Sequence, residues 1–207
     1  MNRQIVNPEF DARYAGDVST EAAETYIRAA VRHKETDRQT ALKSLDDMFR
    51  AGRPPQGLAG RYQGEMLGVD IAPVVTPCVT ALQERYRLWQ GKRFDLATGS
   101  GDNVLSNDVS PALRLFLPLY RGRRPDTETT FRALQFRTYI APALFDPDTP
   151  VLKIDYDIPG NPSLTIRRVL DELVELADGY YLGRAYVRWW GLGWRRVAYF
   201  SLRMDSR

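Results

Sequence analysis

The sequence predicts an α+β fold in which a helical pair at the N-terminus precedes an antiparallel β-barrel that carries two further helices. Three observations lead there. Apolar residues recur at helical spacing through the first fifty positions. Past residue 57 that period gives way to alternation, and the chain ends in a long aromatic hairpin from Tyr180 to Arg203, turning at Gly191-Leu192-Gly193. A meander of such strands exposes two edges, which closure into a barrel removes. At 207 residues one structural domain is expected, with 1–52 as a helical segment packed on the barrel and 57–205 as the barrel itself.

Ala22, Ala23, Tyr26, Ile27, Ala30 and Val31 share one face of the first helix, and Ala41, Leu42, Leu45, Met48 and Phe49 form the stripe of the second. Between them Thr36-Asp37-Arg38-Gln39 has the capping-box pattern, Thr36 capping and Gln39 reaching back. Gly52 should stop the second helix, with Pro54 and Pro55 preventing its continuation. Leu58 to Leu67 reads as the first strand, with Gly60, Tyr62 and Gly64 on alternate positions. Thr76-Pro77 looks like an N-cap and N1 pair opening a helix that runs to Trp89. Lys92 to Leu96 starts another strand, Gly99 to Asn103 reads as a loop, and Ala112 to Tyr120 as a buried strand. Thr130 to Ile140 alternates, with Leu134, Phe136 and Ile140 on one side. Val151 to Asp157 is a further strand, and Ser163 to Ala177 reads as a helix through Ile166, Val169, Leu170, Leu173 and Val174. Arg167 and Asp171 would form an i,i+4 ion pair on its solvated face.

The segment Leu58-Ala59-Gly60-Arg61-Tyr62-Gln63-Gly64-Glu65 resembles the Gly-x-Trp opening strand of the lipocalin and calycin barrels, with Tyr62 at the Trp position. That resemblance implies an up-and-down barrel that binds an apolar ligand. Trp89-Gln90-Gly91-Lys92 and Tyr180-Tyr181-Leu182-Gly183 also look like motifs, but the sequence attaches no activity to either.

Composition excludes several classes. The formal charge is +3, and the basic residues are scattered among carboxylates without a long stripe, so no nucleic-acid partner is expected. No run approaches the ~20 apolar residues of a membrane span, the N-terminus lacks the apolar core of a signal peptide, and the lone Cys78 suits a reducing compartment. A cytoplasmic protein without membrane contact is therefore expected, and homo-oligomerisation stays open. With His33 as the one histidine, no His-based triad or His-rich metal site is available, and no cofactor is indicated.

The remaining chemistry lies in carboxylates, Lys, Arg and Tyr. Lys153 and Asp155 project to one face of a strand, opposite Leu152, Ile154 and Tyr156. If that face looks into the barrel, they become acid–base candidates, with Glu65 as a third. Tyr62, Trp89, Arg137, Tyr139, Tyr181 and Tyr199 are the candidate ligand contacts, mostly rings with a polar tip. Three functions follow: binding of a hydrophobic small molecule in a barrel cavity, a cofactor-independent isomerase or cyclase using the same cavity, or a protein-interaction module built on the helices.

Overall fold

A computed structural model of the chain describes residues 19–33, 37–69, 88–109 and 120–205. Two helices, α1 (Thr20–His33) and α2 (Arg38–Ala51), come first. The strands follow as β1 (Gly60–Val69), β2 (Trp89–Asp95), β3 (Ser100–Ser106), a short β4 (Arg124–Pro125), β5 (Thr130–Pro142), β6 (Pro150–Asp155), β7 (Val169–Ala177), β8 (Tyr180–Trp189) and β9 (Gly193–Met204). The sheet runs β3-β2-β1-β9-β8-β7-β6-β5, and a β3–β5 pairing closes it into an eight-stranded antiparallel barrel with β4 flanking β5. No edge is left along the closed ring.

Asp37, rather than Thr36, is the N-cap of α2. Its carboxylate accepts from the Thr40 N–H at 3.0 Å and from the Thr40 hydroxyl at 2.6 Å, two bonds to one residue that a Thr cap would not offer. Gly52 ends the helix as expected, its N–H reaching the Met48 and Phe49 carbonyls. The apolar stripes of both helices face the barrel's outer wall: Ala23, Ile27, Leu45, Met48 and Phe49 pack with Val174, Leu176, Tyr180, Leu182 and Tyr199. Tyr26, Val31 and Leu42 pack against the same cluster and are partly buried.

The helix expected over Ser163 to Ala177 is instead a short 3-10 turn, Ile166–Arg168, followed by β7. β7 is buried on both faces, Val174 and Leu176 under the helices and Val169 and Leu173 in the barrel. Apolar residues on both sides erase the alternation that marks a half-buried strand, so the run mimics a helical stripe. Of Gly99 to Asn103 only Gly99 lies in a turn, since Ser100–Ser106 pairs with β2 on one side and β5 on the other. The helix expected over Thr76 to Trp89 lies almost wholly outside the described residues, and its last residue, Trp89, opens β2. The strand expected over Ala112 to Tyr120 lies outside them too, except for Tyr120, which is not in a strand.

Alternation along β5 breaks at Leu134, whose φ of 54° lies in the left-handed region. Asn103 pairs with Ala133 and Gly101 with Phe136, so this bulge keeps Ala133 and Phe136 on the same inner side. Three glycines accept rings from neighbouring strands: Gly64 lies under Trp89, Gly101 under Phe136 and Gly183 under Phe200. Those rings, with Tyr62, Phe94 and Tyr181, belong to the barrel's interior core.

Candidate functional site inside the barrel

Lys92 points into the barrel from β2 and is 2 % exposed. Its ammonium donates to Tyr156 Oη at 2.5 Å, to Asp171 Oδ2 at 2.8 Å and to Asn103 Oδ1 at 3.1 Å. All three N–H groups are therefore used. Tyr156 Oη donates to Asp171 Oδ2 at 3.1 Å, Trp89 Nε1 donates to Asn103 Oδ1 at 3.0 Å, and Asn103 Nδ2 donates to the Leu134 carbonyl at 3.1 Å. Four rings surround the Lys92 nitrogen at 5.2–5.6 Å from their centroids: Phe136, Tyr156, Phe200 and Trp89.

The topology explains the convergence. Lys92 sits opposite Asn103 in the β2–β3 register, and Asp171 sits opposite Ile154 in β6–β7, one turn of the pleat from Tyr156. The left-handed Leu134 aims its carbonyl at Asn103, placing a backbone outlier beside a polar cluster, where strain tends to collect. Burial pulls the Lys92 ammonium below its ordinary range, and the Asp171 carboxylate acts against that pull. Burial and then the Asp171 charge hold the Tyr156 phenol well above its ordinary range. Lys92, Tyr156 and Asp171 lie within hydrogen-bond reach of one another, and an oxygen-bearing guest would meet this cation, phenol and amide by taking the place of one of the present acceptors.

Of the candidate ligand contacts, Tyr62, Trp89 and Tyr181 belong to the barrel interior, with Tyr62 and Tyr181 edge to face at 5.6 Å. Arg137 and Tyr139 stand exposed on the outer wall. Tyr199 also faces outward and donates to Asp46 Oδ1 at 2.5 Å, where Arg184 and Arg196 meet the same carboxylate under α2. Glu65 lies exposed on β1. Lys153 and Asp155 share the outer face, away from Leu152, Ile154 and Tyr156, which belong to the interior core. Lys153 is nonetheless buried, paired with Glu172, whose Oε1 also accepts from the Leu144 N–H at 2.6 Å. Asp155 pairs with Arg137 at 2.7 Å. Asp171 pairs with Lys92 rather than Arg167, which meets Asp157 at 2.6 Å.

Sequence reasoning assigned none of Lys92, Asn103, Tyr156 and Asp171 to a site, although it noted Lys92 within a motif-like run and Asp171 as an ion-pair residue. One signal was available: the chain has four lysines among 29 basic residues, so a Lys kept in an Arg-rich sequence marks a place where guanidinium does not serve. A separate outer cleft of about 470 Å³ is lined by Arg93, Asp102, Arg124, Arg132 and Gln135 among others. Asp102 is held there between Arg132 and Arg124 at 3.6 and 3.7 Å.

The closed eight-stranded antiparallel ring is compatible with a calycin-like architecture. Comparison of the chain with family models, with curated proteins and with solved structures returns no match.

Proposed function

We propose that the barrel binds a small, largely apolar molecule that carries one oxygen acceptor, and that Lys92, Tyr156 and Asn103 receive that oxygen. The observation supporting this is a fully buried ammonium held by three polar partners inside an aromatic cage. Binding sites for small molecules combine apolar walls with a few placed polar groups. Met66, Trp89, Leu134, Val169 and Ala185 are only partly buried around the core, towards the end where β8 and β9 turn, and a guest would meet the core from there. Tyr62 and Tyr181 extend the apolar wall deeper.

Titrating the protein with a medium-chain aldehyde, the matching carboxylic acid and the matching alkane, read by Trp fluorescence, tests this. Saturable one-site binding that favours the oxygenated members is expected, and Asn103→Leu should weaken it about tenfold, the value of one hydrogen bond to a charged network. Equal, non-saturating responses to all three would overturn the reading.

A second reading, a cofactor-independent isomerase or cyclase, is favoured by one contact, the 2.5 Å approach of Lys92 Nζ to Tyr156 Oη with Asp171 behind both. Burial lowers the Lys92 ammonium, the direction that suits a general base, and keeps the Tyr156 phenol protonated as a hydrogen-bond donor. Deuterium exchange at carbons next to the carbonyl of a bound ketone, followed by NMR, checks it. Exchange should vanish in Lys92→Met and stay in Asp155→Asn, a change on the outer wall.

A further inference from the structure

The β8–β9 hairpin carries its apolar load outward at one end of the barrel. Trp190 is 66 % exposed, Leu192 63 % and Trp189 39 %, and Leu164, on the neighbouring segment ahead of β7, is 68 % exposed. Trp189, Trp190 and Leu192 belong to the hairpin turn, in which Gly191 and Gly193 both have φ near 70°. Three side chains at a hairpin turn make a small apolar patch, whereas a stable protein interface commonly needs about 800 Å² from each partner.

Charge decides what the tip suits. From Tyr180 to Met204 the hairpin contains Arg184, Arg188, Arg195, Arg196 and Arg203 and no carboxylate. Arg184 and Arg196 are engaged by Asp46 under α2. Arg188 and Arg195 are exposed and flank the tryptophans. Arg168 lays its guanidinium over the Trp190 ring at 4.0 Å while its Nε donates to the Arg188 carbonyl at 2.6 Å, which fixes a third cation at the base of the tip. Exposed indole rings with a surrounding belt of Arg match the boundary between acyl chains and acidic headgroups, where Trp partitions and nearby cations are attracted.

We propose that the hairpin tip, with Trp189, Trp190 and Leu192 inserted and Arg168, Arg188 and Arg195 facing the headgroups, docks this protein on anionic lipid surfaces. No helix among the described residues is long and apolar enough to cross a membrane, a finding that concerns crossing and is silent on surface contact. The proposal stands apart from the interior site, although the tip lies at the same end of the barrel.

Flotation with two vesicle preparations tests it, one of phosphatidylcholine and one with about a quarter phosphatidylglycerol. The full chain should float with the anionic vesicles, much less with the neutral ones, and progressively less as salt rises. Trp190→Ser combined with Leu192→Ser should lose about tenfold or more in partitioning, as expected for removing two inserted apolar side chains. Arg188→Gln with Arg195→Gln should remove the preference for anionic lipid. All four positions are exposed, so an unchanged melting temperature confirms that the variants are folded. Equal partitioning of parent and Trp190/Leu192 variant would overturn the proposal. So would equal binding to both vesicle types, or tip-dependent self-association without vesicle binding.

Discussion

Two lysines show how burial changes the meaning of one side chain. Lys92 and Lys153 are both enclosed and both face a carboxylate, Asp171 in the barrel and Glu172 outside it. Removing one partner of such a pair leaves an uncompensated charge and commonly costs about 3–5 kcal/mol, whereas removing both costs far less. Lys153→Met should therefore lower stability in urea by about that amount, and Lys153→Met with Glu172→Gln should recover most of it, since Gln still accepts from the Leu144 N–H. Asp171→Asn should behave like Lys153→Met, while Asp155→Asn, whose partner Arg137 is solvent-exposed, should barely move the midpoint. A large loss for Asp155→Asn, or none for Lys153→Met, would contradict the assigned pairs. The alternation of Val151 to Asp157 showed which side chains travel together, but the face turned inward depends on closure and on the helices covering the outer wall. Sequence periodicity contains neither. Hence the shared face of Lys153 and Asp155 was legible, whereas the burial of Lys153, its partner Glu172 and its side of the wall were not.

At the scale of single elements, β8 and β9 are joined through a ring seated on a glycine. A Cβ on Gly183 would stand 2.1 Å from the Phe200 ring, and Phe200 itself meets Trp89 edge to face at 5.5 Å. Gly183→Ala should cost about 1–3 kcal/mol through overpacking, and Phe200→Ala about 3–5 kcal/mol through cavity formation. The two together should cost less than their sum, because the new methyl enters the space that the ring vacates. Strict additivity in equilibrium unfolding would show that the ring does not sit on that glycine. This hairpin was legible in the sequence because its strands alternate and its turn is glycine-marked. β7 was not legible, for the reason its burial gives: a strand covered on both faces has no polar side to reveal its period. β3 was hidden differently. Its Ser, Gly, Asp and Asn are poor strand formers, and only pairing on both sides, with Phe136 over Gly101, holds them extended.

Over the whole molecule, the tyrosines make the fold sensitive to alkali. Burial pushes Tyr180 up to about 12 and holds Tyr156, Tyr181, Tyr186 and Tyr199 high as well. Unfolded tyrosine ionises near 10. The folded state thus binds these phenolic protons more tightly, a contribution fully present below pH ~10 and lost as pH rises towards ~12. Lys92 has the opposite sign, because its lowered value makes the unfolded chain the better proton binder just below ~10.5, but it is one group against several. The melting temperature should fall steeply between pH ~10 and ~12, and phenolate absorbance should rise together with loss of the fold. Gradual phenolate formation in a folded protein would mean that these rings are reached by solvent. The helical pair and the closed barrel were both anticipated because each rests on a period and on the cost of an open edge. The interior cluster was not, because it draws one residue from each of several strands, and no local pattern records which strands become neighbours across the barrel.

The adjacency of Asp171 and Glu172 on β7 has a consequence for how the ring assembles. Because neighbouring side chains point to opposite faces, a slip by one residue exchanges inside for outside. If β7 advances so that Glu172 takes the place of Asp171, Leu173 arrives opposite Lys153. If it slips the other way, Asp171 serves Lys153 and Leu170 arrives opposite Lys92. Either error strands one buried ammonium against a leucine, at a cost of the order of 3–5 kcal/mol. Two consecutive acids thus act as a proofreading pair, admitting a single alignment of the most deeply covered strand.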